Sequence, residues 1–351
     1  MEKNHGEYNF NIALIKSLMS FLVVCAHFWL IDDDMPHLQT AVSFFTLAAA
    51  PVFFIMSFFL TRKLYSGRDP KMLGKRIWRL WFPQLFWAVF YYLGFRLVNI
   101  LIGINYSGRY TFIFVKPLNL ILQILMGSDG FLAPQMWFNF VSIILTLILF
   151  TAFCFARLKG RIVLIILFIL SLLLQYTGIN YGFFAPYGFN VSYAAGRVAE
   201  CLPFAVAGFF IADMNILGAL KSKKIITAGC CAAIMTASAF LKDITDPSYG
   251  FVYEGVSLLF FSAALFVLLS VIPLDNCPET LKRIIKFTSR LSMGVYCVHY
   301  FIGYLWDLIL CKALDIKSDT LIECLIVYLI SLAVSYLISL IPFKAVRSLV
   351  T

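Results

Sequence analysis

Long apolar runs alternate with short connections along this chain, and the basic residues are concentrated in every second connection. Of the 28 Lys and Arg residues, 21 belong to one alternate set of connections and span ends, whereas only five belong to the other set. Lys and Arg collect on the cytoplasmic side of multi-pass membrane proteins. The alternation therefore predicts a polytopic membrane protein with both termini in the cytoplasm.

The composition excludes a soluble protein. Apolar residues make up 62% of the 351 residues and charged residues 13%, whereas a soluble domain carries about 25% charge. The net charge of +10 is explained by basic residues at span ends, so we expect the lipid bilayer and not nucleic acid as the partner. The cysteines lack the spacing of a metal or redox motif, and we expect no metal site.

A membrane-spanning helix needs roughly 20 apolar residues. We predict an all-α fold, a single transmembrane domain over residues 1–351 with about ten spans, at approximately 10–30, 42–61, 78–101, 137–156, 162–178, 197–213, 225–241, 251–272, 291–310 and 321–341. Three aspartates follow the first run, and no small-residue cleavage site follows it, so we expect a retained helix rather than a signal peptide. The segment from about Thr111 to Met126 is predicted to be an interfacial or re-entrant piece.

Lys16 and His27 interrupt the first apolar run. A charged side chain near the bilayer centre costs about 2.5 to 3.5 kcal/mol, which makes it a candidate functional group. Eleven residues of helix place the two within about 20° of one face and roughly 16 Å apart along the axis. They are suited to bind two parts of a long ligand. The alternative is that Lys16 reaches the inner headgroups and His27 makes a buried hydrogen bond.

Three further pairs of residues are spaced three apart. Arg76 and Arg79 lie at the predicted inner end of the third span, where two guanidinium groups suit phosphate oxygens; the alternative is an orientation anchor. Tyr296 and His299 share one face of the ninth span, where packing is the alternative. Arg197 and Glu200, also three apart, are expected to pair with each other.

Five short motifs in order along the chain resemble those of membrane acyltransferase family 3, the polytopic bacterial O-acyltransferases that modify cell-surface glycans. The resemblance covers the whole chain. The family's first helix carries a basic residue, usually Arg, and a His at the spacing of Lys16 and His27. The other motifs are the stretch Pro51–Leu60 with Ser57, the pair Arg76 and Arg79 followed by Phe82 and Pro83, the triplet Met136–Trp137–Phe138, and the pair Tyr296 and His299.

The resemblance implies an acyl transfer reaction at the bacterial cytoplasmic membrane. The donor would be acetyl-CoA or another acyl-CoA that arrives from the cytoplasm as a co-substrate, with no permanently bound cofactor. The acceptor would be a sugar hydroxyl on the outer side. By the same resemblance, Arg76 and Arg79 hold the CoA phosphates and Lys16 the donor arm. His27 acts at the transfer step, either directly or through an acyl-histidine.

By this resemblance, four other residues are expected to line the site: Ser57, Trp137, Tyr296 and His299.

Two other functions are compatible with the sequence. One is a transporter or exporter of a glycan or small polar solute, although we find no internal repeat of the kind many transporters show. The other is a member of the same fold that has lost catalysis. Thioester hydrolysis that depends on His27 favours the enzyme, and solute flux that is unaffected by His27→Ala favours the transporter.

Overall fold

The computed structural model describes residues 9–28, 44–102, 125, 134–155, 157–177, 189–245, 256–274, 277–307 and 321–350. Within these ranges the regular elements are helices, as the sequence predicts. In chain order they are α1 (Phe10–Phe28), α2 (Ala49–Leu60), α3 (Arg62–Gly67), α4 (Pro70–Ile102), α5 (Trp137–Phe155), α6 (Arg157–Thr177), α7 (Phe189–Asp213), α8 (Ile216–Leu220), α9 (Lys224–Thr245), α10 (Val256–Val271), α11 (Glu279–Trp306), α12 (Leu321–Leu340) and α13 (Lys344–Arg347), with 3-10 helices at Pro134–Met136 and Lys221–Lys223.

Several of these helices have the length and apolar composition of membrane spans. Five stretches are long enough to cross a membrane, namely Phe10–Phe28, Trp137–Cys154, Ala194–Asp213, Ile216–Leu241 and Leu321–Leu340, and two shorter apolar helices cover Phe44–Leu60 and Val256–Val271. The other three predicted spans fall on α4, α6 and α11. The all-α membrane class is confirmed, whereas the count of ten spans and the cytoplasmic termini remain predictions. The predicted interfacial piece at 111–126 lies outside the described residues, Leu125 excepted.

Side-chain caps define the starts of the two helices that carry the candidate basic residues. At α1 the side-chain oxygen of Asn9 accepts the N–H of Ile12 at 3.1 Å, which satisfies one of the donors left free at a helix start. At α4 the carboxylate of Asp69 accepts the N–H of Lys71 at 2.8 Å, and Pro70 occupies the first helical position, where its missing N–H costs nothing.

The helix α2 lies at the centre of the bundle, in contact with α1, α7 and α10. Its Val52, Phe54, Ile55 and Phe58 are fully buried, as expected for a helix that is apolar all round. The helix α1 contacts α2 and also packs along α11, and α11 in turn packs along α12. The candidate site lies where α1, α2 and α11 meet the starts of α4 and α5.

Candidate active site

A cavity of about 320 Å³ lies between these helices. Its walls include six of the eight residues that the sequence analysis predicts for the acyl-transfer site: Lys16, His27, Ser57, Arg76, Trp137 and Tyr296. Leu60 and Thr61 line it near the C-terminal end of α2, and Gln135 lines it next to Trp137. In the predicted orientation the cavity therefore extends from the cytoplasmic side of the bundle towards its outer side.

Lys16 and His27 are contributed by the same face of α1. Both side chains are half-buried and both line the cavity. Their separation along the helix axis is roughly 16 Å, so they contact different parts of the cavity rather than each other. No described acidic group lies within ion-pair distance of Lys16.

The Arg76 side chain points into the bundle from the beginning of α4. Its Nη2 donates a hydrogen bond to Ser57 Oγ at 2.9 Å, and its Nε donates to Thr146 Oγ1 at 2.9 Å. The guanidinium also lies 5.2 Å from the centre of the Phe58 ring. These contacts hold a permanently charged, planar donor group in the cavity wall, and such a group suits phosphate or carboxylate oxygens.

Arg79 lies in a different environment from Arg76. It is three residues further along α4, its side chain is exposed, and it is absent from the cavity wall. The exposed Trp78 precedes it and stacks on Phe82, with 5.7 Å between the ring centres. The structure therefore brings Arg76, but not Arg79, together with Lys16 and His27.

His299 lies behind His27 and does not line the cavity. The two imidazole rings are 5.2 Å apart between centres, and Tyr300 meets the His27 ring edge-on at 5.6 Å. His299 is completely buried, and its Nδ1 lies 3.0 Å from the Val295 carbonyl oxygen. Since a carbonyl can only accept, that partner assigns the proton to Nδ1 and leaves Nε2 as a lone-pair acceptor. His299 therefore supports the ring of His27 from the side away from the cavity.

Trp137, in the cavity wall, packs against a buried ion pair. Arg197 Nη1 donates to Glu200 Oε2 at 2.8 Å, so the pairing predicted from their spacing is present. The Arg197 guanidinium lies 5.2 Å from the centre of the Trp137 ring. Arg197 is 7% exposed and Glu200 is fully buried, so truncation of either residue would remove this ion-pair contact from a buried charge.

The sequence analysis did not single out Gln135, which also lines the cavity. Gln135 begins a row of buried polar residues at helical spacing, continued by Asn139, Ser142 and Thr146. Intervals of four, three and four residues place all of them on one face. That row stands out against an otherwise apolar span, so the pattern was available in the sequence.

Among the described residues, no group of three or more His, Cys, Asp and Glu side chains is arranged to hold a metal ion. The polar groups in the cavity wall are instead a lysine, an arginine, an imidazole, hydroxyl groups and an amide. That set can bind anionic oxygen atoms at one end and exchange a proton at the other.

One comparison with known proteins identifies the family of the chain. A family model described as an acyltransferase domain matches residues 9–340, nearly the whole chain. No curated protein and no solved structure matches the chain. The family match covers the helices that build the cavity, and we conclude that the chain belongs to membrane acyltransferase family 3.

Proposed function

We propose that this protein is an O-acyltransferase of the bacterial cytoplasmic membrane. It transfers an acyl group, most simply acetyl, from cytoplasmic acyl-CoA to a hydroxyl of an extracytoplasmic or lipid-linked sugar that belongs to a surface polysaccharide. The observation that supports the proposal is one cavity whose wall contains Arg76, Lys16 and His27. In the predicted orientation, Arg76 and Lys16 are towards the cytoplasm and His27 is towards the outside.

The proposed division of labour follows the chemistry of each group. Arg76 binds a phosphate of the donor inside the cavity, and Arg79 contributes from the exposed face of α4. Lys16 binds the donor arm between Arg76 and His27. Ser57 and Thr146 hold the guanidinium of Arg76 by accepting its N–H groups, so the charge is positioned before the donor arrives.

In the proposed transfer step, neutral His27 takes the proton of the acceptor hydroxyl. The oxygen forms a bond to the thioester carbonyl carbon, the carbon–sulfur bond breaks, and the imidazolium returns the proton to the sulfur of CoA. An imidazole suits both halves of this exchange because its ordinary pKa of about 6.5 lies near neutral pH. An acyl-imidazole on His27 would give the same products in two steps.

The test is the binding and hydrolysis of acetyl-CoA by the purified full chain in detergent. We expect the wild type to bind acetyl-CoA and hydrolyse it slowly, with water in place of the sugar. His27→Ala should retain binding and lose about 100-fold or more of the hydrolysis, the usual contribution of a general base. Arg76→Ala should lose binding.

Arg283→Ala is the matched control, because Arg283 is an exposed arginine on α11 whose described ion-pair contact is with Glu279; it should behave as wild type. Failure of the wild type to bind acetyl-CoA would overturn the proposal and leave transport as the leading function. Hydrolysis that persists in His27→Ala would overturn the role of His27.

The acceptor class is tested in cells. We expect surface polysaccharide from cells that carry the wild-type gene to contain O-acyl groups, measured by mass spectrometry before and after mild alkaline treatment. Polysaccharide from cells that carry His27→Ala should lack them. Equal O-acylation in both strains would contradict the proposed acceptor.

A further inference from the structure

The inference concerns Gln135, whose amide nitrogen is anchored by two groups. Nε2 donates to the Tyr91 hydroxyl at 2.8 Å and to the Cys297 carbonyl at 3.2 Å. The Tyr91 O–H itself donates to the same carbonyl at 2.7 Å and its oxygen accepts the Phe301 N–H at 3.1 Å. A carbonyl oxygen only accepts, so these contacts establish which end of the Gln135 amide is nitrogen.

The other end of this amide has no partner. Gln135 Oε1 is buried and accepts no hydrogen bond from any residue that the structure describes, although Gln135 lines the cavity and is 1% exposed. A buried acceptor that lacks a donor loses the hydrogen bonds that water would give it, which is unfavourable. Because Gln135 is a residue of the cavity wall, its unpaired oxygen is suited to a ligand that brings an N–H or O–H group.

The anchors place Gln135 at about the level of His27 along α11. Cys297 and Phe301, which hold the Gln135 and Tyr91 side chains, lie on the same turns of α11 as His299 and Tyr300, which contact the His27 ring. The unpaired oxygen therefore lies near the depth of His27 in the bundle rather than that of Arg76. In the proposed function, the acyl group is transferred at the depth of His27.

The donor arm of acyl-CoA carries a group that matches this oxygen. An amide N–H is joined to the thioester sulfur through an ethylene unit, and it needs an acceptor once it leaves water for a site within the membrane. An amide oxygen is too weakly basic to remove the proton of a reacting hydroxyl, so it suits a donor that keeps its hydrogen throughout the reaction.

We propose that Gln135 is a donor-binding residue whose amide oxygen accepts the N–H nearest the thioester of acyl-CoA and holds the thioester carbonyl beside His27. This inference rests on the proposed function, since it requires acyl-CoA to occupy the cavity. Tyr91 anchors the Gln135 amide and acts as a positioning residue, without contact to the substrate.

The test compares acetyl-CoA with an analogue in which an ester replaces the amide nearest the sulfur, a change that removes the N–H. Dissociation constants are measured for the full chain in detergent. We expect the wild type to bind the amide form about tenfold more tightly than the ester form, as for one hydrogen bond to a buried group. Gln135→Met should bind both forms equally, because its side chain has a similar length and no amide.

Two further variants complete the design. Ser292→Ala removes another polar group from the cavity wall, one that donates within its own helix to the Ser289 carbonyl, and should keep the tenfold preference. Tyr91→Phe keeps the Gln135 oxygen and removes one anchor of the amide nitrogen, so the preference for the amide form should fall severalfold. This variant tests the inference even if Gln135→Met does not fold.

The outcomes separate this inference from the proposed function. Binding of acetyl-CoA by the wild type without a preference for the amide would overturn the role of Gln135 alone, as would a preference that survives in Gln135→Met or is unchanged in Tyr91→Phe. Absence of acetyl-CoA binding in the wild type would overturn the proposed function and the inference with it.

Discussion

Two arginines only three residues apart have different surroundings in this protein. The Arg76 guanidinium is held by two hydroxyl groups in the cavity wall, whereas the Arg79 side chain is exposed on α4. Their spacing alone places them side by side on a helix. The rotation of α4 about its axis decides which of them faces inward, and that rotation depends on packing against α5.

We predict that these arginines contribute unequally to donor binding. Arg76→Gln should weaken acetyl-CoA binding about tenfold or more, because a buried charge-assisted hydrogen bond contributes about 1.5 to 3 kcal/mol. Arg79→Gln should weaken it about fivefold at most, because exposed ion pairs contribute about 0.2 to 1 kcal/mol. Titration at low and high salt is the measurement, and only the Arg79 effect should fade as salt rises. Equal losses in the two variants would contradict the difference in environment.

Gln135 shows what residue-scale prediction misses. The row formed by Gln135, Asn139, Ser142 and Thr146 can be recognised in the sequence as one polar face of a span. Its anchoring to Tyr91 and the Cys297 carbonyl joins three segments that are far apart in the chain. Local spacing contains no information about such contacts, because they depend on which helices become neighbours.

At the scale of elements, the sequence predicts the helices well because their signals are local. Apolar runs mark the spans, although α4 begins at Pro70, eight residues before the predicted span at 78–101, because its cap at Asp69 lies upstream of the apolar run. The neighbours of α2 were not predictable in the same way, because a helix that is apolar all round shows no preferred face. The contact between α2 and α7 instead depends on one small residue, Gly208.

We predict that Gly208→Ala destabilises the protein. A methyl group on Gly208 would lie 2.1 Å from the Ile55 carbonyl oxygen, so α7 would have to move away from α2 at a cost of about 1 to 3 kcal/mol. Thermal unfolding in detergent should show a lower midpoint temperature than for the wild type.

Gly229→Ala on α9 is the control for this substitution. Apart from its chain neighbours and the adjoining backbone of α9, no described atom lies within 4 Å of the methyl group it would add, and alanine is the better helix former. Its midpoint temperature should equal or exceed that of the wild type. A normal midpoint for Gly208→Ala would show that α2 and α7 can separate without cost.

At the scale of the whole molecule, the charge distribution predicts how the helix bundle is oriented in the membrane. The segments that follow α2, α5, α7 and α10 carry 17 of the 28 basic residues, and Arg62 and Arg161 are both within ion-pair distance of Asp213 at the end of α7. Contacts of this kind tie the ends of three helices together on one side of the bundle. By the distribution of Lys and Arg, that side is predicted to be cytoplasmic.

We predict that reporter fusions will establish both termini as cytoplasmic. A reporter that is active only outside the membrane should be inactive when fused after residue 351 and active when fused after residue 34, because 21 basic residues lie on one predicted side and five on the other. A fluorescent reporter that folds only in the cytoplasm should show the reverse pattern. Activity of the first reporter after residue 351 would contradict the ten-span topology.

One cavity that joins His27 to the cytoplasmic side has a consequence for the charge balance of the proposed reaction. The hydroxyl gives a proton to His27, and the thiol that leaves for the cytoplasm carries that proton away in exchange for the acyl group. Acyl-CoA and CoA therefore have the same charge, as do the hydroxyl and its ester, so a turnover moves no net charge across the membrane. Acylation of the cell surface would then proceed equally well in energised and depolarised membranes that receive the same supply of acyl-CoA.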